Sequence, residues 1–187
     1  MPYAGDMGVF RPGAGDRDIE GEIQIHGSLR SEQTVVAVGE VRRGWPEWTN
    51  ECLVPVGDYL PASLNVRLGK LEVFISDNYH SEGKGRDSGG HSKVYGIEIR
   101  KDRPYVLDFS NEPQVMFTTV TQGMKVKAGE ELKVKAVLVD PKLDIMVREL
   151  NDLTQKDSRG TGKSLDPQVV ITRGDGEVVA KGVMPFG

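Results

Sequence analysis

Between Met124 and Asp140 the sequence MKVKAGEELKVKAVLVD alternates apolar and charged residues almost without interruption. A period of two fits only an extended chain. Met124, Val126 and Ala128 fall on one side of such a strand, with Lys125 and Lys127 on the other. Beyond Gly129-Glu130-Glu131 the apolar side resumes with Leu132, Val134, Ala136 and Leu138 against Lys133 and Lys135, so the stretch predicts a β-hairpin with one dry face. Val137 and Val139 make its far end apolar on both sides, which places that end beneath other structure. The four lysines suit an acidic polymer or a glycan, and equally suit a solvated face that keeps a sheet from edge pairing.

The same pattern recurs in shorter pieces: Glu22 to His26, Thr34 to Val41, Leu53 to Val56, Leu64 to Leu68, Leu71 to Ser76, Val94 to Arg100, Tyr105 to Phe109 and Val115 to Val120. Most have the five or six residues of a typical strand. The 23 glycines and ten prolines fall largely between them, as turn punctuation. Val169 to Thr172 and Glu177 to Ala180 predict a further hairpin around Arg173-Gly174-Asp175-Gly176, with Asp-Gly read as a tight primed turn. Residues 1–18 show no periodicity and read as a flexible arm. From Leu143 to Leu153 the spacing fits a helix capped by Asp140-Pro141 or a strand, and the β surroundings favour the strand.

Val54-Pro55-Val56-Gly57-Asp58-Tyr59 resembles the Pro-x-Gly-x-Tyr signature of transthyretin-like (Cna-B or carboxypeptidase-regulatory-like) β-sandwich modules, and VYGIEIRKDRPYVLDF is similar to their closing hairpin. The resemblance implies a small non-catalytic module, a spacer or adhesive unit of secreted bacterial proteins, with Tyr59 in the core. The polar turn Ser110 to Pro113 is the boundary candidate. The expectation is therefore all-β: an arm over 1–18, a transthyretin-like sandwich over 19–110, and an immunoglobulin-like sandwich over 111–187. The second has five or six strands where about seven are usual, which reads as a truncated module; one continuous sandwich is the rival.

The formal charge of -4 argues against a nucleic-acid binder that neutralises phosphate. No apolar run approaches the ~18 residues of a membrane span. A lone cysteine, Cys52, excludes an internal disulfide. Residues 1–18 show no basic-then-apolar leader. The expected setting is extracytoplasmic if the chain is part of a longer one, and cytoplasmic if its N-terminus is native.

Candidate sites are few. Asp77 to Lys93 gathers Asp77, His80, Asp87 and His91, ligand types for a divalent cation, in a glycine-rich loop that reads first as a solvated connection. Trp45 and Trp48, with Tyr79 in the neighbouring loop, offer aromatic faces for stacking on sugar rings, or anchor the core beside Tyr59. His26 falls on the outward side of its strand. Gly160 to Ser164 superficially suggests a phosphate loop, but Asp157 stands where that pattern needs glycine. Arg173-Gly174-Asp175 is explained by turn chemistry. No nucleophile, base and orienter assemble from three dispersed histidines and one cysteine. The sequence thus points to a structural or interaction module whose partners are other domains or proteins. Carbohydrate binding is the alternative, and metal-assisted hydrolysis a second.

Overall fold

The computed structural model describes residues 4–42, 45–78, 96–127, 129–158 and 160–186. Its elements are β1 (Met7–Gly13), β2 (Ile23–Arg30), β3 (Val35–Val38), β4 (Glu40–Arg42), β5 (Trp45–Glu47), β6 (Cys52–Pro55), β7 (Gly57–Leu68), β8 (Leu71–Asn78), β9 (Ile97–Ile99), β10 (Tyr105–Asp108), β11 (Gln114–Phe117), β12 (Ala136–Asp140), β13 (Ile145–Lys156), β14 (Gly162–Ser164), β15 (Gln168–Thr172) and β16 (Val178–Val183). The fold is all-β.

One sheet has the order β10-β1-β6, and a larger one runs β11-β12-β13-β8-β7-β2-β3, with β14 paired to β13 and β9 to β7. β7 changes partners along its length. Its first residues, Gly57 to Tyr59, pair with β9, whereas Leu60 to Leu68 pair with β2. The change comes beside Pro61, where the register with β2 slips between Ser28 and Leu29. Proline cannot donate to a ladder and is accommodated at such irregularities.

The core lies between the sheets. Phe10, Val54 and Leu107 meet Ile25, Leu29, Leu64, Val66, Val73 and Ile75, with Tyr59, Ile97, Ile99 and Phe109 closing one end. The odd-numbered residues of β2 and the even-numbered ones of the second half of β7 supply its dry face, as a period of two requires. Tyr59 is buried, and its hydroxyl donates to the Pro55 carbonyl at 3.0 Å.

The arm expected over 1–18 contains a strand of the core instead. Residues 7–13 are β1, which pairs parallel with β10 and antiparallel with β6. Phe10 is fully buried. The buried positions of this strand are Gly8, Phe10 and Pro12, and two of those three carry no hydrophobic signal, which is why its period is invisible in sequence. Gly8 is there for closeness: a Cβ would stand 2.3 Å from the Arg100 carbonyl oxygen.

The Met124 to Asp140 hairpin also fails to form. Only Ala136 onward is strand, antiparallel to β11 on one side and β13 on the other. Met124, Val126 and Leu132 are exposed along with the lysines, and on that side only Val134 is half-covered among the described residues before Ala136. Its far end behaves as expected: Val139 is fully buried. Over 145–156 the chain is a strand rather than a helix.

β13 pairs with β8 from Ile145↔Asn78 to Asp152↔Leu71, so hydrogen bonding crosses from one half of the chain to the other. Ile145 and Val147 join the core. Ser110 and Asn111 lie in a turn between β10 and β11.

The β15–β16 hairpin forms a separate two-stranded sheet, exposed over nearly its whole length. Its turn is not primed. Gly176 has φ 89° while Asp175 stays in the ordinary region, and the Gly176 N–H donates to the Arg173 carbonyl at 2.9 Å. A turn closed by one left-handed glycine next to a slipped register is the bulged type.

Candidate functional site

The face of the large sheet opposite the core is set by the same registers that set the core. His26 stands opposite Asn65, Ser28 opposite Ser63 and Gln24 opposite Arg67. Arg67 in turn faces Glu72, which faces Asn151. Each of these residues except Asn151, whose neighbour Leu150 is half-buried, adjoins a buried apolar residue, so the strip is the polar half of the pattern that builds the core.

Trp48 is laid against this strip by its own backbone. Where β3 ends, Thr49 takes its place beside β2: the Thr49 N–H donates to the Ile25 carbonyl at 3.0 Å and the Ile25 N–H returns a bond to Thr49 at 2.8 Å. The indole meets the His26 ring edge-on, with centroids 4.2 Å apart, and carries the Arg67 guanidinium 4.3 Å from its own centroid. Arg67 is held from its other side by Glu72 at 3.7 Å and Gln24 at 3.4 Å. Its Nε is buried without a hydrogen bond among the described residues, leaving the indole face as its closest compensation.

Burial pushes the His26 imidazole below its usual range. Glu72 opposes that shift and Arg67 adds to it. His26 is thus held neutral near pH 7, with one ring nitrogen a donor and the other an acceptor.

Beside His26 a groove of about 460 Å³ is lined by Ser28, Ser63, Asn65, Pro46, Val35 and Ala37. Trp48 therefore sits on the outer face, away from Tyr59 and outside the core. His26 is on the outward side as the parity of its strand requires, though half-covered. Trp45 opens β5 opposite Arg42, and Asp77 falls near the end of β8 opposite Met146. Tyr79, His80, Asp87 and His91 lie outside the described residues, and with them the proposed cation loop. No group of three or more metal-ligating side chains occurs among the described residues.

Arg67, Glu72 and Asn65 were not singled out from sequence. Their parity was readable, but their closeness to Trp48 depends on which strands become neighbours.

Burial raises the pKa of the Cys52 thiol, partly offset by a backbone hydrogen bond from Gly39 and reinforced by Glu51. It is a packing residue rather than an activated nucleophile. Lys163 of the Gly160 to Ser164 segment contacts Gln155 at 3.2 Å, and the segment leads into a strand instead of a helix.

A different surface stands out at the other end of the sheet. After Pro113, Val115, Phe117, Met124, Val126, Leu132, Leu165, Val170, Ile171, Val178, Val179 and Val183 are all exposed, whereas the buried apolar residues there are only Val139, Ile145, Met146 and Val147 among those described. Comparison with protein-family models, with curated proteins and with solved structures finds no match for the chain.

Proposed function

We propose that this chain is a non-catalytic structural and interaction module, which meets other protein surfaces through its C-terminal β-structure. The observation that carries the reading is the uneven placement of apolar residues: the fully buried ones lie mostly before Pro113, and the exposed ones mostly after it. Large apolar surface left exposed on a folded chain commonly marks a site that a partner covers. The test is uptake of an anilinonaphthalenesulfonate dye by the native protein. Binding that falls severalfold when Phe117, Val170 and Val179 are changed to Ser, at an unchanged melting temperature, supports the reading. A native protein that takes up no dye overturns it.

A second reading, carbohydrate binding, is favoured by the groove beside His26, whose ring Trp48 contacts. Ser28, Ser63 and Asn65 turn polar groups toward it, while Val35, Ala37 and Pro46 offer apolar surface for sugar C–H groups. Titration with neutral oligosaccharides, followed by tryptophan fluorescence, should show saturable quenching that Trp48→Ala and Asn65→Ala both abolish. Quenching that persists in both variants excludes this site.

A further inference from the structure

Apart from His26, no described residue lining the groove between Pro46 and Asn65 is ionisable. Ser28, Ser63 and Asn65 offer hydroxyl and amide groups there, and Val35, Ala37 and Pro46 offer apolar surface. The side chains of Ser28, Ser63 and Asn65 and the His26 ring make no hydrogen bond among the described residues, so their donors and acceptors are open to a ligand. Arg67 and Glu72, by contrast, are engaged with each other at 3.7 Å, and the guanidinium lies on the Trp48 indole. The groove therefore suits an uncharged, hydroxyl-bearing molecule, and its one titratable wall is His26.

The ring is half-covered, and water reaches what remains of it. A ligand seated in the groove displaces that water. A neutral imidazole loses little by this, whereas an imidazolium loses hydration that is costly to replace. Burial is already the largest influence against a charge on the ring; Glu72 from β8 favours one, and Arg67 from β7 opposes it. On β2 itself Arg30 is four residues away, on the same side by parity. The β4–β5 ribbon also packs here, since Gly39 lies between the Glu47 carbonyl and the His26 Cβ, and its charged residues are Glu40, Arg42 and Glu47.

We propose, resting on the carbohydrate reading of this groove, that His26 is its pH gate: the groove takes a neutral, hydroxyl-bearing ligand while the ring is uncharged and releases it when the ring gains a proton. Proton and ligand then compete for one side chain. Above pH 6.5 the ring of the free protein is mostly neutral and affinity is level. As the pH falls through the midpoint of the ring, the fraction of chains able to bind declines, and apparent affinity declines with it, toward about tenfold per pH unit. Linkage makes the effect reciprocal: a bound ligand must lower the affinity of the ring for a proton by the same factor.

Tryptophan-fluorescence titrations of the full chain with maltohexaose, cellohexaose and chitohexaose, at pH 8, 7, 6 and 5, test this. The expected result is saturable quenching by at least one of them, with an affinity that is level from pH 8 to pH 7 and severalfold weaker at pH 5. In His26→Gln the affinity, weaker or not, should no longer vary with pH. Glu72→Gln should carry the decline to lower pH, because it removes the carboxylate that favours a charged ring. Should His26→Gln fail to fold or to bind, proton NMR of the His26 ring in the unaltered protein decides instead, since saturating saccharide must lower its midpoint. Affinity that stays level to pH 5, a decline that persists in His26→Gln, or a ring midpoint that saccharide leaves unmoved overturns the gate and leaves the carbohydrate reading standing. A chain quenched by none of the three saccharides at any pH removes the gate and that reading together.

Discussion

Phe10 shows how much a single side chain can reveal about the chain around it. It is fully buried between the sheets and stacks on Tyr105 with ring centroids 5.8 Å apart. Truncating a buried phenylalanine forfeits transfer free energy and leaves a void, so Phe10→Ala should lower unfolding free energy by about 3–5 kcal/mol in a urea titration. A free N-terminal arm would make the same substitution nearly silent. His26 gives a pH prediction. Its folded pKa lies below the unfolded value, so the unfolded chain takes up a proton first as the pH drops. Stability should be unaffected well above pH 6.5 and decline as the pH falls through and below that value. His26→Gln should flatten this part of the profile, and melts from pH 8 to pH 5 read both. Glu72 faces Arg67 on the neighbouring strand, and as the source of the upward influence on His26 it limits how far below pH 6.5 the decline continues.

At the level of single elements, alternation proves a necessary condition for a strand but not a sufficient one. The segment with the cleanest period, Met124 to Lys135, lies outside the ladders among the described residues, and Met124, Val126 and Leu132 on its apolar side stay exposed. β1, with an unreadable period, is the middle strand of its sheet because β6 and β10 flank it. A strand is stabilised by its neighbours' packing more than by its own propensity. Amide exchange should invert the expectation from sequence: residues 124–127 and 131–134 should exchange quickly, and β1 slowly, with the core strands of β2 and β7. Much of the first half is legible nonetheless. The strands over residues 22–26, 53–56, 64–68, 71–76 and 105–109 all appear, and the parity of β2 places His26 outward as read.

For the molecule as a whole, the decisive contact is β13 along β8. It carries Ile145 and Val147 into a core otherwise built from residues before 110, and it covers an edge of β8 that would otherwise be open. A chain ending at residue 112 should therefore lose cooperative unfolding and associate through the exposed β8. The full chain should show a single main transition by circular dichroism. A truncated chain that melted as the full one does would mean that β13 adds nothing to the first half. By itself, the sequence determined that the protein is all-β, where most early strands lie, and which side of most of them faces the core. Those properties are local, fixed by side-chain period and turn chemistry within a few residues. Only the tertiary structure decided which strands are neighbours: that β1 is central, that β13 spans the halves, that Trp48 lies on His26 and Arg67, and that β11 is left as an open edge. Pairing between strands distant in sequence is a property of the packed whole, because each strand offers the same backbone groups to any partner, and only the competition among all of them for the same core determines which pairs form.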